Sequence, residues 1–598
     1  MPSDDAFSLT PEWLTSRCFA FRAGSRSVVH ASSLGFERNG RISGYRHRNE
    51  TAWRIEDGKV VVLDADGVPS CIAGPTRNDD GTVSLVGAFL LTDGDHTHRF
   101  DEVASPDGLP EVLTFDLFDT LVARRCYEPT AIFRRVEASS GVAAFARLRQ
   151  AVEYELFQRG DYSFDDIYAA LRAAAGWPDR TLSILKMLEL AEEWDNLFPI
   201  QEMVARVGPR DMVVSDMYLP MSFLRRLVDE KCRLENRVIH LSCHGKRRGT
   251  VWLTIGATHR VRRHHGDNRR SDVERPRQSG IDTEHVAISA WSQGERILLD
   301  AGLEPFARVI REARLRSFHL DPRLRGAQLA QFEVNLPLLV LASLVVLRHA
   351  RERGIDTLLM CSRDCNLWVE LMRWMAVRSS ASPVVRYFVA SRVLFLSDSP
   401  EYAAYFLKMR GQRSMLVDVS GTGRSPSYFI GKVDAQRNTS VFLIAATREV
   451  APWVAKLADP RDDVDVAILS DQPFHLRNPI EMLNMSLEGR ATRISLANHD
   501  LAVESWPTEF GSIATHIITM MRDAFLTAMK ILDESGIRQL PENISTERLR
   551  TAAEAVLGTA GDYRFAWGPI NDDVRCAEGE IAEAAHAERQ RNSGSVSD

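Results

Sequence analysis

At 598 residues with a formal charge of -7, the chain is too long for a single hydrophobic core and too nearly neutral to be drawn to nucleic acid or acidic lipid by net charge. Its 44% hydrophobic and 26% charged residues exclude a fibrous or disordered chain and point to three or more packed globular units. The eight cysteines (Cys18, Cys71, Cys126, Cys232, Cys243, Cys361, Cys365 and Cys576) form no CxxC pair and no zinc spacing with histidine, so reduced thiols are expected.

The opening "MPSDDAFSLTPEWLTSR" lacks the basic-then-apolar order of a signal peptide. Residues 1–105 carry short alternating runs, such as "GKVVVLDADGVPS" and "GTVSLVGAFLLTDGDHTH", broken by Gly, Asp and Asn; this predicts a small β-rich domain. "SPDGLP" links it to a second domain over 106–305, which opens on a strand at Val112–Phe115. From about 126 to 207 the apolar residues recur at three-to-four spacing, predicting helices, and Ser163 before "FDDIYAALRAA" reads as a capped helix start. "DMVVSDMYLP" and "RVIHLSCHGK" then read as buried strands. The longest apolar run, "VNLPLLVLASLVVL" (Val334–Leu347), contains Pro337 and is shorter than the roughly 18 to 20 residues of a membrane span, so a buried helix, no membrane span and a cytoplasmic protein are expected. A second α/β series over 320–500 has strands at "TLLMCSRD", "VVRYFVASR", "MLVDVSGTG" and "SVFLIAATR". A helical region follows over 501–580, then a disordered tail over 581–598. Strands alternating with helices imply parallel sheets, whose sites lie beyond the carboxyl ends of the strands.

Four strand ends carry chemistry. They are Asp116 after "VLTF", Ser215 after "DMVV", Lys246 after "IHLSCHG", and Asp267 with Asp272 in "HHGDNRRSD". Gathered at one edge, they equip a site for phosphoryl transfer: Asp116 attacks phosphorus, Lys246 and Ser215 bind phosphoryl oxygens, and Mg²⁺ shields the approach of two anions. Oxygen-only donors suit Mg²⁺ better than zinc.

In order and spacing, "FDLFDTLV", "VVSDMYLP", Lys246 in "CHGKRRGTVW" and "HHGDNRRSDVERPRQSGI" resemble the four motifs of the haloacid dehalogenase-like (HAD) superfamily, over about Leu109 to Gly302. The resemblance implies a Rossmann-like core with a helical cap and an aspartyl-phosphate mechanism. Asp116 would be the nucleophile and Thr120 would sit in the turn after it; Ser215 would bind the phosphoryl group and Lys246 would stabilise the charged intermediate. Asp116, Asp267, Asp272 and the backbone carbonyl of Phe118 would hold Mg²⁺. The family's phosphatases usually place a second aspartate, a general acid, where this chain has Phe118. Loss of such an acid slows a reaction by about 10² to 10⁴, which matters for a poor leaving group and little for an acyl phosphate. Asp119 would compensate only if the turn aims it inward; otherwise it pairs with a neighbouring basic residue.

In the second α/β series, "CSRD", "ASR" and "DVSGTGRS" each follow an apolar strand. Gly421, Thr422 and Gly423 opening a helix, with Ser425 behind them, would turn backbone N–H groups toward an anion, and Arg363, Arg392 and Arg424 would clamp a phosphate or carboxylate; a plain glycine turn with solvated arginines is the alternative. "MLVDVSGTGRS" is similar to the phosphate-binding loop of type I phosphoribosyltransferases, although Val419 follows Asp418 where that family has a second acid. The whole pairing resembles HAD-type hydrolases encoded among bacterial cell-surface polysaccharide genes, and "NETAWRIEDGKVVVLDADGVPS" looks like a small β module of glycan-related proteins. Arg262, Arg263, His264, His265, Arg269 and Arg270 form a basic patch expected to be a solvated loop. Glu481 and Asn484 sit on an expected helix that either faces the second site or serves the core.

The function expected is Mg²⁺-dependent hydrolysis or transfer of a phosphoryl group on a sugar phosphate or nucleotide-linked substrate. The alternatives are a catalytically weak HAD scaffold that binds a phosphorylated ligand, or a phosphoribosyltransferase-like activity in the second α/β domain.

Overall fold

The computed structural model describes residues 9–23, 28–45, 47–79, 81–92, 96–103, 109–256, 258–446, 464–470, 479–497, 500–507 and 510–574. Cys576, the expected tail over 581–598 and most of the "SPDGLP" link lie outside them. The fold is mixed α/β, and the chain divides into two units, Met1–Ala290 and Trp291–Asp598.

The first unit begins with β1 (Cys18–Ala23), β2 (Val28–Phe36), β3 (Ile42–Ser43), β4 (Ala52–Glu56), β5 (Lys59–Leu63), β6 (Pro69–Arg77), β7 (Val83–Phe89) and β8 (Thr97–Glu102). They form one antiparallel sheet in the order β3-β2-β1-β8-β7-β6-β5-β4. A bridge between Arg41 and Ala52 joins its two edges, so the sheet curls onto itself and hides the edges that would otherwise template aggregation. Alternate side chains point inward: Phe19 and Phe21 on β1, Val60 and Val62 on β5, and Phe100 on β8 fill the interior.

The rest of this unit is built on β9 (Glu111–Phe115), β10 (Val122–Arg124), β11 (Leu197–Pro199), β12 (Met212–Asp216), β13 (Ile239–Ser242), β14 (Arg260–Gly266) and β15 (Asp282–His285). Five of them make a parallel sheet in the order β13-β12-β9-β14-β15. The chain starts in the middle, winds to one edge and returns to the other side, so the order reverses between β9 and β14; crevices at such reversals are where open α/β sheets bind ligands. Between the paired short strands β10 and β11 stand the helices Ala131–Ser140, Phe145–Arg159, Phe164–Ala175 and Asp179–Asn196. The third starts where the sequence places it, with a capping box in which Ser163 Oγ accepts from Asp166 N–H and the Asp166 carboxylate accepts from Ser163 N–H. It buries Phe164, Ile167, Tyr168 and Leu171, a stripe at helical spacing.

In the second unit β16 (Thr357–Cys361), β17 (Val384–Phe388), β18 (Ser414–Gly421), β19 (Thr439–Ala446) and β20 (Val466–Ser470) form a parallel sheet in the order β17-β16-β18-β19-β20. A hairpin of β21 (Arg490–Ala497) and β22 (Asp500–Trp506) follows, then the helices Ser512–Glu534 and Thr546–Thr559. The apolar run at Val334–Leu347 lies within a helical stretch, Pro322–Arg353, that is longer than the run itself. By length and composition that stretch could cross a membrane, but 94% of its most apolar window is buried inside the unit.

Candidate metal and phosphoryl site

Asp116 stands directly after β9, and its backbone N–H donates to His265 O at 2.8 Å, so the sheet itself places it. Asp267 follows β14 across the reversal point, and Asp272 lies in the short helical turn Arg269–Glu274. One carboxylate oxygen from each of the three lies within 4.8 Å of the others. Into this group comes Lys246 from the turn of helix after β13; its ammonium donates to Asp116 Oδ1 at 2.5 Å and to Asp272 Oδ1 at 2.7 Å. Ser215 is buried on β12, the strand paired with β9.

Several residues without an assigned role in the sequence hold these groups in place. Asp216 accepts from Ser242 Oγ at 2.5 Å and from the backbone N–H of Lys246 and Arg247 at 2.9 and 3.0 Å, capping the helical turn that carries the lysine. Asp272 accepts from Asn268 N–H at 2.9 Å and meets His264 Nε2 at 3.2 Å, while His264 Nδ1 is paired with Thr114 Oγ1 at 2.9 Å. Gly266 is required here for close approach, because a Cβ at that position would come within 2.5 Å of the Asp272 side chain.

The electrostatics follow from burial and crowding. Burial pushes the Asp116 carboxyl well up, against the pull of Lys246 and with the charges of Asp272 and Asp267 adding to the rise. Asp267 is pushed up to about 6, by burial and then by the neighbouring charges of Asp119 and Asp272. Burial also works against Asp272, but Lys246 and His264 hold it below the usual carboxylate range. Burial lowers the His264 imidazole to about 4. Three carboxylates against one ammonium leave two negative charges when all are ionised, with Asp116 and Asp272 buried and Asp267 partly open to water. The donors are all oxygens, so charge and chemistry both fit Mg²⁺.

Where the resemblance leads one to expect an acid, the chain packs Phe118. Phe118 is 8% exposed, and the Arg124 guanidinium lies 4.7 Å over its ring. Arg124 is itself held in a two-pronged ion pair by Glu193, at 3.0 and 3.1 Å, from the helix Asp179–Asn196. The turn between Leu117 and Val122 is tight: Asp119 is left-handed with φ 56°, and the N–H groups of Leu121 and Val122 both donate to Leu117 O. Asp119 is close enough to the carboxylates to add to their repulsion. The Thr120 hydroxyl is buried with no partner among the described residues.

The helices between β10 and β11 carry a buried polar network. Arg149 is wholly buried, bonded to Glu189 at 2.8 Å and Glu153 at 2.6 Å, with Tyr168 Oη donating to Glu189 at 2.9 Å. Its guanidinium covers the rings of Phe133 and Tyr218, the latter in the turn after β12.

The expected solvated basic patch is corrected by the strand it falls on. "RVRRHHG" is β14, whose first half is exposed and whose last three residues are buried: Arg263 is exposed and paired with Asp282, whereas His264 is buried against Asp272, and His265 stacks on Phe115 at 4.5 Å. Arg262 and Arg263 line a 640 Å³ cleft with Arg206, Arg210 and Asp211; the carboxylate cluster is not part of it.

In the second unit, Arg363 follows β16 with a left-handed φ of 68° and donates its N–H to Tyr387 Oη at 2.8 Å. Arg392 opens a turn of helix capped by Ser391, and Gly421 ends β18. Gly423, with φ 71°, precedes the helix Arg424–Val433, in which Ser425 is buried; Thr422 Oγ1 accepts from Arg424 N–H at 3.3 Å. All stand at the carboxyl edge of neighbouring strands β17, β16 and β18. Two acids join them there. Asp364 and Asp418 are raised, first by burial, and for Asp418 next by the charge of Asp364. Glu481 accepts from Ser420 Oγ. Asn484 exchanges amide hydrogen bonds with Asn335 at 2.7 and 3.0 Å, which is core duty.

No family model matches this chain, and no curated protein matches it.

Proposed function

We propose that the first unit is a Mg²⁺-dependent phosphohydrolase or phosphotransferase of the HAD type, acting through an aspartyl phosphate on a sugar phosphate or nucleotide-linked substrate. The observation that carries this reading is the meeting of Asp116, Asp267, Asp272 and the Lys246 ammonium at the reversal of strand order. A carboxylate oxygen of Asp116 attacks phosphorus, and the bond from phosphorus to the leaving oxygen breaks. Water then attacks the phosphoryl-aspartate, releasing phosphate and restoring Asp116; an acceptor hydroxyl in place of water makes the reaction a transfer. Lys246 and Ser215 bind the phosphoryl oxygens as their charge shifts. Asp116, Asp267, Asp272 and the Phe118 carbonyl would hold Mg²⁺, which supplies the neutralisation that lets two anions approach. The helices between β10 and β11 act as a cap that keeps bulk water out.

Phe118 under Arg124 leaves that side chain unable to hand a proton to the leaving group. Substrates whose leaving group departs as a stable anion are therefore favoured. The test compares acetyl phosphate with an alkyl phosphate in the presence and absence of Mg²⁺. Turnover of acetyl phosphate that needs Mg²⁺, vanishes in Asp116→Asn and exceeds that of the alkyl phosphate by about 10² or more supports the proposal. No turnover of either sinks it and leaves the second reading, a phosphate-binding scaffold, which the buried Phe118 favours.

A phosphoribosyltransferase-like role for the second unit has one observation in its favour. Asp364, in the turn after the strand beside β18, supplies a second, half-buried acid close enough to Asp418 to raise its carboxyl. Phosphoribosyl pyrophosphate binding that weakens in Thr422→Ala tests it.

A further inference from the structure

The 640 Å³ cleft of the first unit lies against β9 and β14, and none of the cluster Asp116, Asp267 and Asp272 lines it. Its floor is made by Leu113 and Phe115 on β9 with their ladder neighbours Arg263 and His265 on β14. Arg206, Arg210 and Asp211, from the segment that leads into β12, form a wall. Asp211 fastens that wall to the sheet, its carboxylate accepting from Leu113 N–H at 2.8 Å and from Gly208 N–H at 2.7 Å. The ladder between β9 and β14 slips between Val261 and Arg263, so two successive arginines, Arg262 and Arg263, reach the same cleft. Bulges of this kind re-aim side chains beside binding sites.

The chain matches only half of the positive charge there. Arg263 is taken up by Asp282 at 2.6 Å and Arg206 by Glu284 at 2.7 Å. Arg262 is 67% exposed, and the carboxylate it faces, Glu111, stands at 3.6 Å, beyond hydrogen-bond reach and divided with Arg260. Arg210 is half-buried beside the Cys18 thiol, with no carboxylate partner among the described residues. His265 is only 5% exposed; its Nδ1 faces Glu284 at 3.3 Å, and its Nε2 is buried with no hydrogen-bond partner. A guanidinium without a carboxylate offers a fork of N–H donors that phosphate oxygens match at two points, and a buried ring nitrogen without a partner is satisfied by a polar atom brought in from outside. The volume falls within the range of about 300–1,000 Å³ usual for small-molecule sites. We infer that this cleft binds a phosphate-bearing metabolite, with Arg210 and Arg262 on the phosphate and His265 Nε2 on a hydroxyl or amino group of the remainder. The arginines supply the neutralising charge, so this site takes its ligand without a metal ion and apart from the carboxylate cluster.

The experiment titrates the full chain in a calorimeter with EDTA present, using ADP and glucose 1-phosphate as separate probes. The tighter of the two tells a nucleotide source of the phosphate from a sugar source. At least one should bind, and Arg262→Gln and Arg210→Gln should each weaken it by about tenfold or more, the loss of one charge-assisted hydrogen-bonded contact. Arg262→Glu, which reverses the charge, should weaken it further. Arg262 is on the surface, so its variants keep the test open if Arg210→Gln fails to fold. Failure of both probes to bind overturns the inference. So does binding that both Arg262 variants leave unchanged, or binding that Ser215→Ala abolishes, which would put the phosphate beside Asp116 instead.

Discussion

Lys246→Met removes the one cation that the carboxylate cluster possesses while keeping much of the side chain's volume. Lys246 is 2% exposed and bonded to Asp116 and Asp272 at 2.5 and 2.7 Å. Without it, carboxylate oxygens up to 4.8 Å apart face one another uncompensated. Two unit charges at that separation repel by about 3 kcal/mol at an effective dielectric constant of about 20. This agrees with the loss of about 3–5 kcal/mol usual when one partner of a buried ion pair is deleted. The variant should therefore unfold more easily without Mg²⁺ and gain more from Mg²⁺ than the wild type, since an ion at about 100 times its dissociation constant adds about 2.7 kcal/mol to whichever state binds it. Calorimetry at constant ionic strength measures both effects, read on the transition that Mg²⁺ shifts, because a chain of two units need not unfold as one. A variant as stable as the wild type without Mg²⁺, or an equal Mg²⁺ effect on both proteins, would refute the shared-charge account of the site.

Glu37 is buried with Oε1 2.5 Å from the Ser43 hydroxyl, and burial pushes its carboxyl up from 4.5 to about 7. Between those values the folded state keeps a proton that the unfolded chain has lost, so its contribution falls as pH rises through the window and levels off above it. Glu37→Gln should remove that slope, and denaturation at pH 4.5 and 7 should show the two proteins diverging by about 3 kcal/mol; a constant difference counts against it. Gly266→Ala puts a Cβ within 2.5 Å of Asp272 and should cost about 1–3 kcal/mol while abolishing stabilisation by Mg²⁺, both visible in one thermal scan series. Arg149→Met leaves Glu189 buried and unpaired and should cost about 3–5 kcal/mol, most of it recovered when Glu189→Met is added; a double variant no better than the single one contradicts a mainly ionic role.

Strands β9, β12, β13 and β16 to β19 were legible because each is a short apolar run ended by polar or glycine residues, as "VLTF" is ended by Asp116 and "MLVDVSG" by Thr422, whereas the edge strands β15 ("DTEH") and β20 ("VAILS") were passed over. Their order was not, since a run of β-formers does not say which neighbour it pairs with. β14 was obscured by its composition: the arginines of "RVRRHHG" mark its exposed first half, and nothing in the run signals that both His264 and His265 at its end are buried. Asp216 could not be singled out because its partners, Ser242 and the N–H groups of Lys246 and Arg247, arrive from 26 to 31 positions away. Nothing in the sequence singles out Arg124 or Arg149, and only tertiary pairing with Glu193 and Glu189 explains their burial. The hairpin of β21 and β22 was passed over, its alternation diluted by charged residues on the exposed face.

The helices over Ala131–Asn196 enter and leave through two strands that are hydrogen-bonded to each other, with Arg124 directly opposite Leu197. Two chain ends that close are within reach of a two-residue hairpin loop. Residues 125–196 are thus an insertion closed at one junction: an Asn-Gly splice from Arg124 to Leu197, with Arg124 replaced because its partner Glu193 leaves with the helices, would give a smaller first unit, and foreign helices grafted there would ask whether the proposed site takes new selectivity.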